Sequence, residues 1–221
     1  MTKCAVLVFP GSNCDNDAYF VLKNIFKIEV SFVWHKDSNL DSYHMILIPG
    51  GFSYGDYLRT GAIAKFSPIM KEVVSKSKKG IPVIGICNGF QILLECGLLP
   101  GALINNKNIK FLSQNVKLEV QDNLSMFTNK LNKGDTLEMP IAHKQGNYIA
   151  DIDTIKMLKD NNRIAFKYLN NPNGSQLDIA GITNEEGNVL GMMPHPERAC
   201  DKILGSDDGK LIFQSIIDSR F

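Results

Sequence analysis

The chain is poor in the features that would commit it to a membrane, an oxidising compartment or a nucleic acid. It contains no run of about 18 apolar residues, so no transmembrane helix is expected. Basic and acidic residues nearly cancel, 24 against 23, for a net charge of +1. That balance provides no electrostatic footprint for a nucleic-acid groove or a membrane-binding face. Lys76, Lys78 and Lys79 are the longest like-charged cluster, and are expected to cap an exposed helix end. The five cysteines, Cys4, Cys14, Cys87, Cys96 and Cys200, are odd in number and include no C-x-x-C pair. A disulfide framework or zinc ribbon is therefore not expected, and reduced thiols in a cytoplasmic protein are. His35 and His44 lack ligand spacing to cysteine or carboxylate, so no metal site is expected. There is no G-x-x-x-x-G-K-[ST] phosphate loop. Internal repeats, low-complexity segments and linkers are also missing.

What is present is a 44% apolar chain of 221 residues, enough for one sizeable core and read as a single domain over 1–221. Cys4 to Phe9 is a continuous apolar run, too short and wrongly flanked for a signal peptide. It reads as a strand buried on both faces and stopped by Pro10-Gly11-Ser12-Asn13. A helix is expected from about Asp15 to Phe26, strands over Glu29–Trp34 and Met45–Ile48, and a helix from about Ser67 to Lys78. Ile81 to Ile86 is a further buried strand, followed at once by Cys87 and a short helix ending at Gly97. This alternation predicts crossovers and a parallel sheet, with function at the carboxyl ends of its strands. The second half differs. Val116–Val120, Leu137–Ala142 and Ile164–Leu169 read as strands without clear crossover helices. Ile179–Thr183 and Val189–Met192 flank a hairpin-like turn, and Gly209 to Ser219 reads as an amphipathic helix.

Three segments carry chemistry. In Gly85-Ile86-Cys87-Asn88-Gly89 a buried strand ends on a cysteine flanked by glycines and runs into a helix, the layout of a nucleophile elbow. The helix start beneath Cys87 favours a thiolate, and the Asn88 N–H is placed to bind an oxyanion. In His195-Pro196-Glu197, Pro196 holds His195 in extended geometry, so that Glu197, two residues on, can reach the imidazole. Ile48-Pro49-Gly50-Gly51 offers a free backbone N–H after a strand, and Gly51 is taken as the second oxyanion donor. Gly50 and Gln91, the latter one helical turn after Cys87, are expected to bind substrate. The bland alternatives are a buried cysteine beside a glycine turn, a surface Pro-rich turn and an ordinary strand-to-loop turn; all three would have to coincide.

The order of these segments resembles the class I, triad-type glutamine amidotransferases. The match extends through Pro10–Asp15, Gly50-Gly51-Phe52-Ser53-Tyr54-Gly55-Asp56-Tyr57-Leu58-Arg59, Gly85–Gln91 and Gly191–Arg198. At that level the chain is similar to the glutaminase subunits of phosphoribosylformylglycinamidine synthase. The resemblance implies an α/β, flavodoxin-like fold with a mixed, mostly parallel central sheet flanked by helices, with antiparallel strands in the C-terminal half. It implies a triad of Cys87, His195 and Glu197 acting on glutamine. It also implies ammonia delivery to a large synthetase subunit, with a small third subunit, in purine synthesis. ATP and magnesium are then expected on the synthetase, with no cofactor in this chain. Ala142-His143-Lys144-Gln145 departs from the family's pattern, with Lys144-Gln145 replacing the usual pair. The competing readings are a free-standing cysteine hydrolase of related fold and a silent regulatory subunit; the intact Cys87, His195 and Glu197 argue against the second.

Overall fold

The computed structural model describes residues 2–219. The strands are β1 (Lys3–Val8), β2 (Glu29–Trp34), β3 (Met45–Ile48), β4 (Val83–Ile86), β5 (Ala102–Ile104), β6 (Leu112–Val120), β7 (Thr136–His143), β8 (Asn147–Ile149), β9 (Ile164–Tyr168), β10 (Ile179–Thr183) and β11 (Val189–Met192). The α-helices are α1 (Asp15–Phe20), α2 (Pro68–Ser77), α3 (Asn88–Glu95), α4 (Ile152–Asp160) and α5 (Gly209–Asp218).

Nine strands form one sheet in the order β2-β1-β3-β4-β11-β10-β9-β6-β7. The first five are parallel, as the alternating first half requires. From β11 onward every pairing is antiparallel. The expected mixed sheet is thus divided by sequence half, with one exception. The β10–β11 hairpin returns β11 beside β4, parallel to it, with Ile86 opposite Met192. Strands β1, β3, β4 and β11 are wholly or almost wholly buried, which is why they read as unbroken apolar runs.

Several boundaries move. The first helix is α-helical only to Phe20, continues as a π-helical turn over Val21–Ile25, and is ended by Lys27 at φ 55°. The strand expected at Val116 begins at Leu112. The small β5–β8 sheet and α4 were not anticipated. Three-residue strands carry too little periodicity to read. Helix α4 did carry a signal: Asp151 caps it by accepting from the Thr154 N–H at 2.8 Å. Lys78 and Lys79 are exposed at the end of α2 as expected, but Lys76, in its last turn, is buried and pairs with Asp41.

Helix α3 lies close against β3 and β4, and this contact sets the height of the elbow. A Cβ on Gly89 would collide with the Ile48 carbonyl oxygen, and one on Gly85 would lie 2.7 Å from the Gly89 backbone. The pair of glycines is therefore a packing requirement. Gly89→Ala is expected to destabilise the fold by about 1–3 kcal/mol through overpacking. Chemical denaturation would check this, and an unchanged midpoint would contradict the contact.

Candidate active site

Cys87 occupies the turn between β4 and α3 with φ 51° and ψ −104°, a conformation that L-residues with side chains rarely adopt. Such strain persists only where the surroundings over-determine it. Here the Cys87 N–H is held by the Met192 carbonyl of β11 at 2.8 Å, and the Gln91 N–H returns to the Cys87 carbonyl at 3.2 Å. The elbow read from the sequence is present. Asn88 is the first residue of α3, so its N–H has no acceptor within the helix.

The end of β11 delivers the base. The His195 N–H is fixed by the Pro140 carbonyl of β7 at 2.9 Å, and its Nδ1 lies 2.6 Å from Glu197 Oε1. The contact expected from two-residue spacing is made by a different backbone. His195 is near extended, at φ −102° and ψ 89°, but Pro196–Arg198 then form a short 3₁₀ turn that swings Glu197 back onto the ring. Both side chains are almost fully buried. Burial alone would pull His195 down; the Glu197 carboxylate and the Cys87 sulfur outweigh it and hold the imidazole up at about 10. Among the described residues, His195 Nε2 and Glu197 Oε2 are buried without a hydrogen-bond partner.

The third segment closes the group. A Cβ on Gly50 would lie 2.8 Å from His195 Cε1, 3.1 Å from Cys14 Sγ and 3.4 Å from Cys87 Cβ. Gly50 thus sits where His195, Cys87 and Cys14 meet, and only a bare Cα fits. Gly51 has φ +132°, which glycine alone tolerates, and pairs as an isolated bridge with Ser12. Its Cα faces the Asn13 backbone, while the residue lines the cavity that holds Cys87.

That cavity measures about 210 Å³ and is walled by Gly51, Phe52, Asp56, Gln91 and His143 to Gln145, among others. Gln91 is there as expected, but both ends of its amide are engaged. Its Nε2 donates to the Gln145 carbonyl at 2.7 Å, and its Oε1 accepts from Asn88 Nδ2 at 3.0 Å. It ties α3 to the divergent segment. Thr60 bonds Gln145 from the other side. Burial, helped by the nearby His195 charge, brings His143 down to about 4, and Asn106 Oδ1 lies 3.1 Å from its Nδ1. His143 is a neutral wall rather than a second acid.

Cys14 follows the first strand, which from the sequence allows either a structural role or a place at the edge of the active site; the structure places it beside His195 and Glu197. Its sulfur and donor atoms of His195 and Glu197 all lie within 4.8 Å of one another. Arg198 Nη2 approaches Cys14 Sγ at 3.1 Å, while its Nε donates to Asp17 Oδ2 at 2.9 Å. The guanidinium therefore already supplies a cation to this cluster. Burial pushes the Cys14 thiol up to about 12, with Glu197 adding to the effect and Arg198 opposing it. The Ser53–Arg59 loop, rich in Tyr, Asp and Arg, reads from the sequence as shaping the pocket mouth or touching a partner, but the sequence does not single out Asp56 within it. Its place in the cavity depends on consecutive left-handed residues that no periodicity reveals. Among the described residues, no helix is long and apolar enough to cross a membrane.

The model of the CobB/CobQ-like glutamine amidotransferase domain matches residues 1–210. A chain in the structure of PurLQS from Thermotoga maritima is 46% identical, with a TM-score of 0.92, covering 99% of this chain and 98% of that one. A protein described as one subunit of GMP synthase, from Thermoplasma acidophilum, matches at 18% identity and a TM-score of 0.67, covering 99% and 93%. A glutamine amidotransferase from Thermotoga maritima matches at 16% and 0.58, covering 99% and 83%. At such identities the last two show a shared fold. With the family model spanning nearly the whole chain and a full-length relative at 46% identity, the protein belongs to the CobB/CobQ-like glutamine amidotransferase family.

Proposed function

We propose that this chain is the glutaminase subunit of phosphoribosylformylglycinamidine synthase, releasing ammonia from glutamine for an ATP-dependent synthetase subunit in de novo purine (IMP) biosynthesis. One observation carries the reading: a strained cysteine elbow and a buried His–Glu pair meet around Gly50. The 46% identity to a PurLQS chain over full length supports the choice of acceptor.

In this reading Cys87 attacks the side-chain carboxamide carbon of glutamine as a thiolate, its proton having passed to His195. The Gly51 and Asn88 N–H groups stabilise the tetrahedral oxyanion. A preorganised donor of this type is worth about 2.7–4 kcal/mol at the transition state. His195 gives its proton to the departing ammonia, leaving a glutamyl thioester on Cys87. Water activated by His195 then hydrolyses the thioester to glutamate. Glu197 orients the imidazole and stabilises its charged form. Gly50 and Gln91 shape the substrate cavity, Gly50 by letting the loop pass between nucleophile and base. ATP and magnesium belong to the synthetase, and a small third subunit completes the assembly. The exposed Tyr57, Leu58 and Phe66 lie in or just after the loop that carries the cavity's Asp56 and suit a partner surface there.

Two outcomes follow from this mechanism. Cys87→Ala should lower glutamine-dependent ammonia release by about 10⁴-fold or more while leaving the fold intact. An ammonia assay with the assembled subunits reads this directly, and retained activity would remove Cys87 from its role. The second concerns pH. Because the Glu197 charge helps hold the His195 proton, the alkaline limb of the rate profile is expected well above the ordinary imidazole range in the native protein. Glu197→Gln should move that limb down by about 1–3 pH units, since the imidazole loses its opposite charge. A limb that stays in place would show that Glu197 does not tune the base.

A further inference from the structure

Between the Gly50-Gly51 segment and α2 the chain adopts a run of left-handed residues, Tyr54 at φ 54°, Gly55 at 64°, Asp56 at 55° and Leu58 at 67°. Three of these are not glycine, so the segment is strained and must be held from outside. It is. The Ser53 N–H donates to Asn88 Oδ1 at 3.1 Å, fastening the loop to the elbow helix. The Tyr54 hydroxyl contacts His35 Nδ1 at 2.8 Å and Ser67 Oγ at 3.0 Å, and the Tyr54 N–H bonds the Pro10 carbonyl at 2.6 Å. Asp56, on this strained turn, is one of the residues that line the cavity of Cys87.

Asp56 Oδ1 is buried and, among the described residues, has no hydrogen-bond partner. No ion pair involving Asp56 occurs among them either. Burial without a cation pushes its carboxyl up to about 6. A buried unpaired acceptor at a cavity wall is costly unless a ligand satisfies it. Lys144, an exposed residue, also lines this cavity, and among the described residues no ion pair joins it to Asp56. An amino acid head group carries the complementary pair.

We propose that Asp56 is the specificity-determining acceptor for the α-ammonium of glutamine, with Lys144 facing the α-carboxylate. The inference rests on the glutaminase reading above and adds the residue that distinguishes glutamine from other carboxamides. A site built to bond a substrate N–H rejects an analogue lacking it far more strongly than an apolar pocket rejects a missing methylene.

The test uses two electrophilic reagents on the full chain: the diazoketone analogue of glutamine, and the same diazoketone without its α-amino group. Mass spectrometry reads the second-order rate of Cys87 labelling by each. The native chain should prefer the amino-bearing reagent by about 100-fold or more. In Asp56→Asn, an isosteric change, the ratio should fall close to 1, and Asp56→Glu should restore part of it. A ratio unchanged in Asp56→Asn, or no preference in the native chain, would overturn the role of Asp56 and leave the glutaminase reading standing. If neither reagent labelled Cys87 in the native chain, the glutaminase reading itself would fall, and this inference with it.

Discussion

The parallel pairing of β11 with β4 is the contact on which the site depends. It sets Met192 opposite Ile86, so Cys87 and Met193 leave the sheet at the same level and in the same direction. The Met192 carbonyl then holds the Cys87 N–H, and three residues on His195 is anchored to β7 by the Pro140 carbonyl. The proposed nucleophile and base, Cys87 and His195, come from positions more than a hundred residues apart, yet each is held by a backbone hydrogen bond to a strand. A slip of one residue in this register would turn each side chain to the opposite face of the sheet and separate the pair.

Burial gives the group its electrostatic character. In water the attraction between an imidazolium and a carboxylate is weak; in a site from which solvent is excluded it is strong. The same exclusion disfavours charge on any group that stands alone. His195 and His143 show both sides of this balance. Each is buried, but His195 has Glu197 and Cys87 to hold its proton, while His143 has a neutral Asn106 and the repulsion of His195. One histidine thereby holds a proton, and the other stays neutral in the cavity wall. Arg198 extends the pattern outward, joining Asp17 and Cys14 at the rim of the buried pair.

The loops show why glycine recurs at this end of the sheet. Gly50, Gly51 and Gly89 stand where two backbones or a backbone and a reactive side chain would otherwise collide. In the neighbouring loop the chain uses tyrosine, aspartate and leucine at left-handed angles, and tethers to Asn88, His35, Ser67 and Pro10 hold what glycine would have relaxed. That cost falls beside the cavity, where the apolar side chains of Tyr57, Leu58 and Phe66 are also exposed.

The buried strands, the elbow at Cys87, the His195–Glu197 pair and the glycines after β3 were all legible from residue order. Their signals are local: unbroken apolar runs, glycines two residues either side of a cysteine, prolines that stiffen a short segment. The half-and-half character of the sheet was legible too, since crossover helices end midway along the chain. Not legible were the π-helical end of the first helix, the three-residue strands, the burial of Lys76, the meeting of Asp56 and Gln145 at one cavity, and the approach of Cys14 to His195 and Glu197. Each of these depends on contacts between segments distant in sequence, or on single left-handed residues that leave no periodic trace. Residue order therefore specified which groups could react and in what local frame. Strand order, register and the exclusion of water decided which of them meet, which carry charge, and which merely form the wall.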